Sequence, residues 1–346
     1  IGELEKVFQV ENDYYETLTQ AVNAASSGST ITMLQDYETE NIVIAKTRLS
    51  LDLGGHTLSI TGDTAGNGIS FSGSIFSITN GNIIDGRDSS RNGGYTAIMI
   101  GAAQTLEVTK VTVKIYDSLN TSSLNNVAFR MEPGSTLTLG EDSRIVSDST
   151  DNANSGSIGV VVLGTGSMTS TTNLYLTDDA EISVGQFGIS GNGSVGNSES
   201  DSDSDTGISV DKNKDYRGTY IEISNNSKVS ATNGWGIYHP QDGVLVIEDE
   251  ASIKGITGIE MRAGTLELLG GTVESTKTVN TFESNANGNG PTTKGVGIAI
   301  VQHSSKLEVD VDIVAGDVKG YYAVYEENLQ ENDDESVAKV DISISG

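Results

Sequence analysis

Three short strand-like motifs recur along this sequence in a fixed order, and this recurrence constrains the fold more than any other feature. The first motif is a small residue followed by alternating apolar positions, and the second alternates polar and apolar residues. The first reads AIMI at 97–100, AFRM at 128–131, GVVV at 159–162, GISG at 188–191, GIYH at 236–239, GIEM at 258–261, GIAI at 297–300 and AVYE at 323–326. The second reads TLEV at 105–108, TLTL at 136–139, NLYL at 173–176, YIEI at 220–223, VLVI at 244–247, TLEL at 265–268, KLEV at 306–309 and KVDI at 339–342. Units this short cannot bury their own apolar faces, so their repetition is typical of solenoids.

A third motif follows the second and fixes the number of strands in each repeat. It begins eight residues after the second motif in four repeats, at Arg144, Glu181, Lys228 and Ser252. The spacing predicts three strands per coil, with each coil pairing to the next at about 4.8 Å. The fold class is therefore all-β, a single right-handed parallel β-helix of about ten coils. The 41 glycines and 3 prolines suit strands joined by tight turns.

The chain reads as one β-helix domain over residues 1–346, with a cap and two insertions. Residues 14–25 carry apolar side chains at helical spacing, which predicts a short helix over the open end of the first coil. Residues 30–96 supply the N-terminal coils, and residues 97–346 supply the regular ones. The insertions occupy residues 191–218 and 276–294. Loops that project from a rigid scaffold are common carriers of recognition.

Charge and composition restrict the partners. The net charge of −28, from 48 acidic and 20 basic residues, would be repelled by nucleic acid and by anionic membranes. The sequence has no cysteine, no apolar stretch of membrane-spanning length and no signal-peptide pattern. We therefore expect neither nucleic-acid binding nor membrane insertion, and we interpret the chain as a mature domain or a fragment, monomeric in solution.

Two segments carry a resemblance to a known family. LTQAVNAA, TITMLQD and LDLGGHTLSI, within residues 15–63, resemble the start of pectin-lyase-like right-handed β-helices on Gram-positive surface proteins. The stretch from GWGIYHPQDG to LELLGGTV, residues 234–273, is similar to repeats of the same surface group, particularly those of gut bacteria. The resemblance implies an extracellular or cell-wall-attached protein. It implies little about activity, because the fold hosts lyases, hydrolases and adhesins alike.

Strand alternation predicts which side chains face outward. In the first motif Ile98, Phe129, Ile237, Ile259 and Ile298 are expected inside. The outward ladder is then Met99, Arg130, Val161, Ser190, Tyr238, Glu260, Ala299 and Tyr325. In the second motif the outward ladder is Glu107, Thr138, Tyr175, Glu222, Val246, Glu267, Glu308 and Asp341. This acidic row is either a solvated face or a stripe that binds Ca²⁺ or basic host molecules.

Adjacent acids suggest general acid–base catalysis, but the repeat offers another interpretation. The pairs at 141–142, 178–179 and 249–250 fall in one turn position, which another coil fills with two asparagines at 225–226. A turn that requires such residues explains the pairs without catalysis.

The catalytic constellations of the resembling enzymes are incomplete in this sequence. Polygalacturonase-like hydrolases combine clustered aspartates with Gly-His-Gly and Arg-x-Lys segments, and the nearest matches here are GGHTL around His56 and IIDGRD around Asp85. Pectate-lyase-like enzymes place Ca²⁺ carboxylates beside a basic residue, for which only Arg130 and Arg262 lie near the strand ladders. We therefore name no catalytic residue.

The candidate ligand site is centred on the segment GWGIYHPQDG. Trp235, Tyr238 and His239 gather aromatic and hydrogen-bonding groups there, and aromatic faces stack on sugars. The turn-forming alternative is that His239 points inward and closes a turn. Arg130 and Glu260, on the same outward ladder, complete the candidate set.

The first insertion contains the candidate metal ligands. Asp201, Asp203 and Asp205 alternate as in many Ca²⁺ loops, although the glycine and terminal glutamate of an EF-hand are not at the required spacing. Calcium is therefore the one candidate ion, against a solvated loop without metal. The sequence favours a non-enzymatic surface β-helix, an adhesin or carbohydrate-contacting module with a glycan or host-surface ligand. A polysaccharide lyase or glycoside hydrolase and a purely structural stalk are the alternatives.

Overall fold

The computed structural model is built almost entirely of parallel strands stacked in coils. It describes residues 5–62, 66–87, 94–117, 125–148, 156–164, 169–191, 218–279, 281–282, 290–302, 307–327 and 340–345. Within these ranges each coil contributes one strand to each of three ladders, called here sheet 1, sheet 2 and sheet 3. The apolar core fills the interior between them. This arrangement confirms the all-β parallel β-helix.

Sheet 1 contains the first sequence motif. Its ten described strands, in order along the stack, are Ile42–Ile44, Gly66–Phe71, Tyr95–Ile100, Asn126–Met131, Ser157–Val162, Phe187–Gly191, Trp235–His239, Thr257–Met261, Val296–Ile300 and Tyr322–Glu326. Ile98 pairs with Phe129, and the register continues through Val160, Ile189, Ile237, Ile259, Ile298 and Val324. All eight copies of the motif are therefore stacked in the predicted alignment.

Sheets 2 and 3 are connected because two long strands, Ile75–Asp85 and Thr105–Tyr116, run through both. The other strands of sheet 2 are Thr30–Met33, Leu49–Asp52, Thr136–Leu139, Thr172–Leu176, Thr219–Ile223, Gly243–Ile247, Gly264–Leu268, Val309–Ile313 and Val340–Ile344. The other strands of sheet 3 are Tyr37–Thr39, Thr57–Ile60, Arg144–Asp148, Glu181–Val184, Lys228–Ala231, Ser252–Gly255, Thr272–Ser275 and Asp317–Lys319. A separate pair, Thr281–Phe282 and Thr293–Lys294, is antiparallel.

One part of the predicted sheet 2 alignment is wrong. The sequence places KLEV, with Glu308, beside Glu267, whereas the structure pairs Glu267 with Asp312 in the strand Val309–Ile313. Asp341 accordingly pairs with Asp310 rather than lying in the row of Glu267. Both segments alternate apolar and acidic residues, but only VDVDI places three apolar side chains, Val309, Val311 and Ile313, in the interior.

The small residue that opens each first motif lies where sheet 1 approaches sheet 3. A Cβ on Gly258 would lie 2.6 Å from the Gly297 carbonyl oxygen and 2.6 Å from Val273 Cγ1. A Cβ on Gly236 would meet Gly258 O and Ile253 Cγ2 at 2.6 and 2.8 Å. Only glycine or alanine occupies this column in the eight motifs, because the two sheets are in near contact there.

The N-terminal end of the stack is closed by a helix and an antiparallel strand. The helix spans Leu18–Ala24 and buries Leu18, Ala21 and Val22, and Thr17 and Gln20 form a capping box at its start. Strand Phe8–Val10 pairs antiparallel with Thr30–Met33 and with Asp13–Tyr15. A helix is therefore present as predicted, but it is shorter than residues 14–25, and the two short strands are an addition that the sequence did not indicate. The described residues contain no helix of the length and hydrophobicity that a membrane span needs.

Candidate functional site

The centre of the predicted ligand site, on the outer flank of sheet 1, is covered. Tyr238 and Glu260 lie on the outward ladder, yet Tyr238 is 7% exposed and Glu260 is fully buried. The C-terminal end of the second insertion, residues 290–294, contacts both side chains. The prediction that these residues face solvent is wrong because strand alternation takes no account of a segment folded over the outside. Ser190 and Ala299, also on this ladder, are buried too.

The Glu260 carboxylate holds the covering segment in place. It accepts hydrogen bonds from the backbone amides of Thr292 and Thr293, from both threonine hydroxyls at 2.8–3.2 Å, and from the Trp235 indole at 3.1 Å. Arg262, also fully buried, approaches the same carboxylate at 3.3 Å and donates to the Gly290 carbonyl oxygen at 2.6 Å. This carboxylate is thus surrounded by donors from its own chain, an arrangement that fastens a loop rather than receives a proton from a substrate.

The two aromatic residues of the predicted site are part of an apolar cluster outside the main core. The Trp235 ring stacks on Phe187 with centroids 5.5 Å apart and planes inclined by 21°, and it is 8% exposed. The Tyr238 hydroxyl accepts a hydrogen bond from Gly290 N at 3.0 Å, and burial raises the pKa of Tyr238 to about 12. Ile158 and Ile256 complete the cluster. Neither ring presents an open face.

His239 closes a corner of the coil, as the turn-forming alternative requires. Its Nδ1 lies 3.0 Å from the Ala263 carbonyl oxygen and its Nε2 lies 3.4 Å from Thr219 Oγ1. Burial lowers the pKa of the ring to about 4, so the imidazole is neutral at pH 7. A neutral imidazole that donates to a carbonyl oxygen fits a structural role.

Among the predicted site residues that the structure describes, Arg130 alone lies exposed. Its Nε donates to Glu132 Oε1 at 2.8 Å, and half-buried Met99 and Val161 flank it in the neighbouring strands. Its strand is three positions along sheet 1 from the strand of Trp235, which corresponds to about 14 Å. The structure therefore brings Trp235, Tyr238 and Glu260 together and separates Arg130 from them. Asp201, Asp203 and Asp205 lie outside the described residues.

The paired acids lie in tight turns between sheets 2 and 3, as their repeat position indicates. Positive φ angles of 48–64° occur at this position, at Asp142, Asp178, Asp179, Asn225, Asn226 and Asp249. Asp and Asn adopt this left-handed conformation more readily than most residues. Backbone amides connect successive turns, from Asp142 to the Asp178 oxygen and from Asp179 to the Asn225 oxygen. The turn geometry accounts for these residue types.

The IIDGRD segment contributes a buried ion pair. Arg87 donates to both Asp85 oxygens at 2.8 and 2.6 Å and to the carbonyl oxygens of Gly66 and Thr96 at 2.9 Å. Its guanidinium also lies 4.7 Å from the centroid of the Tyr95 ring. These contacts join three neighbouring segments of the stack, so the pair serves the fold.

A half-buried aromatic and acidic patch lies on the outer face of sheet 2. The rings of Tyr175 and Tyr220 have centroids 5.8 Å apart, and the Tyr220 hydroxyl donates to Glu222 Oε2 at 2.8 Å. Asn173 and Glu248 are half-buried beside them. Burial and the neighbouring Glu222 carboxylate raise the pKa of both tyrosines. Strand alternation places Tyr175 and Glu222 on one acidic ladder. The ring pair was not predicted, although the alternation of NLYL and YIEI could have indicated it.

The acidic row itself continues toward the C-terminal coils. Glu107, Glu222, Glu267 and Asp312 lie in one register, interrupted by uncharged residues. Burial, followed by repulsion from Glu308, Asp341 and Asp312, raises the pKa of Asp310. Among the described residues, no group of three or more His, Cys, Asp or Glu side chains is arranged to hold a metal ion.

By strand register the chain is a parallel β-helix. No protein-family model matches its sequence, and no curated protein sequence matches it significantly. Among solved structures, it is similar to the A-module of mannuronan C-5 epimerase AlgE6 from Azotobacter vinelandii, with 12% identity. The alignment covers 94% of this chain and 93% of that one, with a TM-score of 0.38. Such a likeness carries no conclusion about function, and the fold rests on the register described above.

Proposed function

We propose that this chain is a non-enzymatic extracellular β-helix that contacts carbohydrate, as an adhesin or a binding module of a bacterial surface protein. The observation that carries the proposal is the patch formed by Tyr175, Tyr220 and Glu222 on sheet 2. It combines two half-buried rings with a carboxylate on a long, regular face. Ring faces pack on the apolar faces of sugars, and the carboxylate and Asn173 can bind hydroxyl groups.

The geometry of the sheet suits an extended ligand. Successive coils are about 4.8 Å apart, so side chains that repeat along the stack can contact successive units of a polysaccharide. The acidic surroundings favour a neutral or basic glycan, because a polyuronate would be repelled by a chain of net charge −28. The arrangement around Glu260 and Trp235 supports the choice of sheet 2, since those groups already bind each other.

Glycan-array binding tests the proposal. The wild-type chain should bind a subset of neutral or amino glycans, and Tyr175→Ala and Tyr220→Ala should each weaken binding about tenfold, by about 1.4 kcal/mol. Tyr220→Phe keeps the ring and should retain most of the affinity. Tyr14→Ala, at an exposed tyrosine of the N-terminal strand pair, is the matched control and should bind as the wild type does.

Two outcomes would overturn the proposal in different ways. Absence of binding to any glycan would leave only the role of a structural stalk. Incubation of the same glycans with Ca²⁺ would reveal an enzyme instead if products with ultraviolet absorbance from a new double bond appear, as for a lyase. New reducing ends without that absorbance would indicate a hydrolase.

A further inference from the structure

An isolated carboxylate lies at the corner where sheet 3 leads into sheet 1. Asp117 directly follows strand Thr105–Tyr116 and is 4% exposed, and among the described residues neither of its carboxylate oxygens has a hydrogen-bond partner. A buried carboxylate without a donor is strongly disfavoured, so such a group calls for a counter-charge. It is independent of the patch on sheet 2 and of the cluster around Glu260.

Two neighbouring side chains make their hydrogen bonds elsewhere. Ser157 Oγ donates to Ser147 Oγ at 2.9 Å and accepts from Gly185 N at 2.7 Å. The Asn126 side chain donates to the Tyr116 carbonyl oxygen at 2.8 Å. Neither of these side chains donates to Asp117.

Further acceptor oxygens lie around Gly185 and around Gly156, the residue that precedes Ser157. A Cβ on Gly185 would lie 2.8 and 3.0 Å from the two Asp117 oxygens and 3.1 Å from Ser157 Oγ. A Cβ on Gly156 would lie 2.8 Å from Gln186 Oε1 and would also contact Asn125 Oδ1. Gln186 Oε1 is buried and, like the Asp117 oxygens, has no hydrogen-bond partner in the described part of the chain. Because residues 156 and 185 are glycines, these acceptor oxygens approach the backbone closely.

We propose that this corner binds a calcium ion. The ligands would be the Asp117 carboxylate, Gln186 Oε1, Asn125 Oδ1 and Ser157 Oγ, completed by water or backbone oxygens. Carboxylate, amide and hydroxyl oxygens are the donors that Ca²⁺ prefers, and Ca²⁺ tolerates irregular sets of six to eight of them. One formal charge among the protein ligands predicts a dissociation constant of about 10⁻⁴–10⁻³ M, the range of extracellular modules. The ion would join three successive coils.

Calcium titration of the full chain, followed by thermal unfolding and calorimetry, tests the site. In the wild type, millimolar Ca²⁺ should raise the unfolding temperature, with half of the effect at about 10⁻⁴–10⁻³ M. Asp117→Asn should abolish this rise and should unfold at or above the temperature of the calcium-free wild type, because the buried charge is gone. Asp142→Asn, at an exposed turn acid, should respond to Ca²⁺ as the wild type does.

A second variant distinguishes calcium binding from a hydrogen bond between the Gln186 amide and the Asp117 carboxylate. Gln186→Glu adds a ligand charge and should tighten Ca²⁺ binding about tenfold or more. If the Gln186 amide instead donates to Asp117, the same variant would lower the unfolding temperature at every Ca²⁺ concentration. That result would overturn the proposal, as would a wild type indifferent to Ca²⁺ or an Asp117→Asn variant with an undiminished response.

Discussion

Substitution of Glu260 by glutamine should destabilise the protein far more than its position on an outer face would suggest. Each oxygen of this carboxylate accepts from at least two N–H or O–H donors, and glutamine replaces one oxygen by an NH₂ group that faces those donors. A hydrogen bond to a charged group contributes about 1.5–3 kcal/mol, and two such bonds are lost. The substitution also removes the negative charge beside the buried Arg262 guanidinium. Breaking a buried pair costs about 3–5 kcal/mol.

The two contributions share the same atoms and do not add, so we expect a loss of about 3–5 kcal/mol in the free energy of unfolding. Urea unfolding followed by circular dichroism measures this loss, and limited proteolysis shows whether the segment around Thr292 is released first. The control is Glu274→Gln. Glu274 pairs with Lys254 at 3.2 Å where both side chains are well exposed, so Glu274→Gln should lower the free energy of unfolding by less than about 1 kcal/mol.

The expected difference is refuted if Glu260→Gln and Glu274→Gln unfold at the same urea concentration. Equal midpoints would mean that the segment at residues 290–294 does not rest on the carboxylate, and that the flank of sheet 1 is open in solution. Rapid proteolysis of the wild type within this segment would lead to the same conclusion.

Three further perturbations test other parts of the structure. Gly258→Val should lower the free energy of unfolding by about 1–3 kcal/mol or more, measured by urea unfolding, because the new side chain would collide with Val273. Gly86→Ala is the control: the nearest atom is 3.6 Å away, so its free energy of unfolding should change by less than about 1 kcal/mol. Equal effects of the two substitutions would contradict the close approach of the sheets. Burial lowers the pKa of His239 to about 4. As the pH falls from 6.5 to 4, the imidazole therefore binds a proton in the unfolded chain but not in the folded chain. The free energy of unfolding of the wild type should therefore fall by up to about 3 kcal/mol over that interval, and that of His239→Gln should not. Unfolding curves of the two proteins with identical pH dependence would refute this prediction. The pKa of Asp310 is raised by burial and by neighbouring acids, so Asp310→Asn should raise the unfolding temperature at pH 7 but not at pH 3, and a fall at pH 7 would contradict it.

The sequence was sufficient for the fold because the stacking register is local. Ile98, Phe129 and Ile237 recur in the same motif, and each must align with the next to bury its side chain, so counting motifs also counts coils. The register error near Glu308 occurred where two overlapping segments share the alternation. Alternation alone does not distinguish them, and only the filling of the interior does.

The candidate site was harder to predict because it depends on contacts distant in sequence. Strand alternation correctly directs Glu260 away from the core, but the segment that covers it comes from an insertion about thirty residues later. No periodic pattern encodes that contact. The sequence did not indicate Asp117 either, because its surroundings depend on the hydrogen bonds that Ser157 and Asn126 make in neighbouring coils.

The single tryptophan allows the most direct test of the covered flank, on which the choice of functional face depends. Trp235 is 8% exposed, stacks on Phe187 and donates to Glu260. Its fluorescence in the native protein should be at short wavelength, weakly quenched by iodide, and unchanged when a bound glycan occupies sheet 2. Quenching as efficient as in the urea-unfolded chain, or a spectral shift on glycan binding, would contradict the closed flank and return the ligand site to sheet 1.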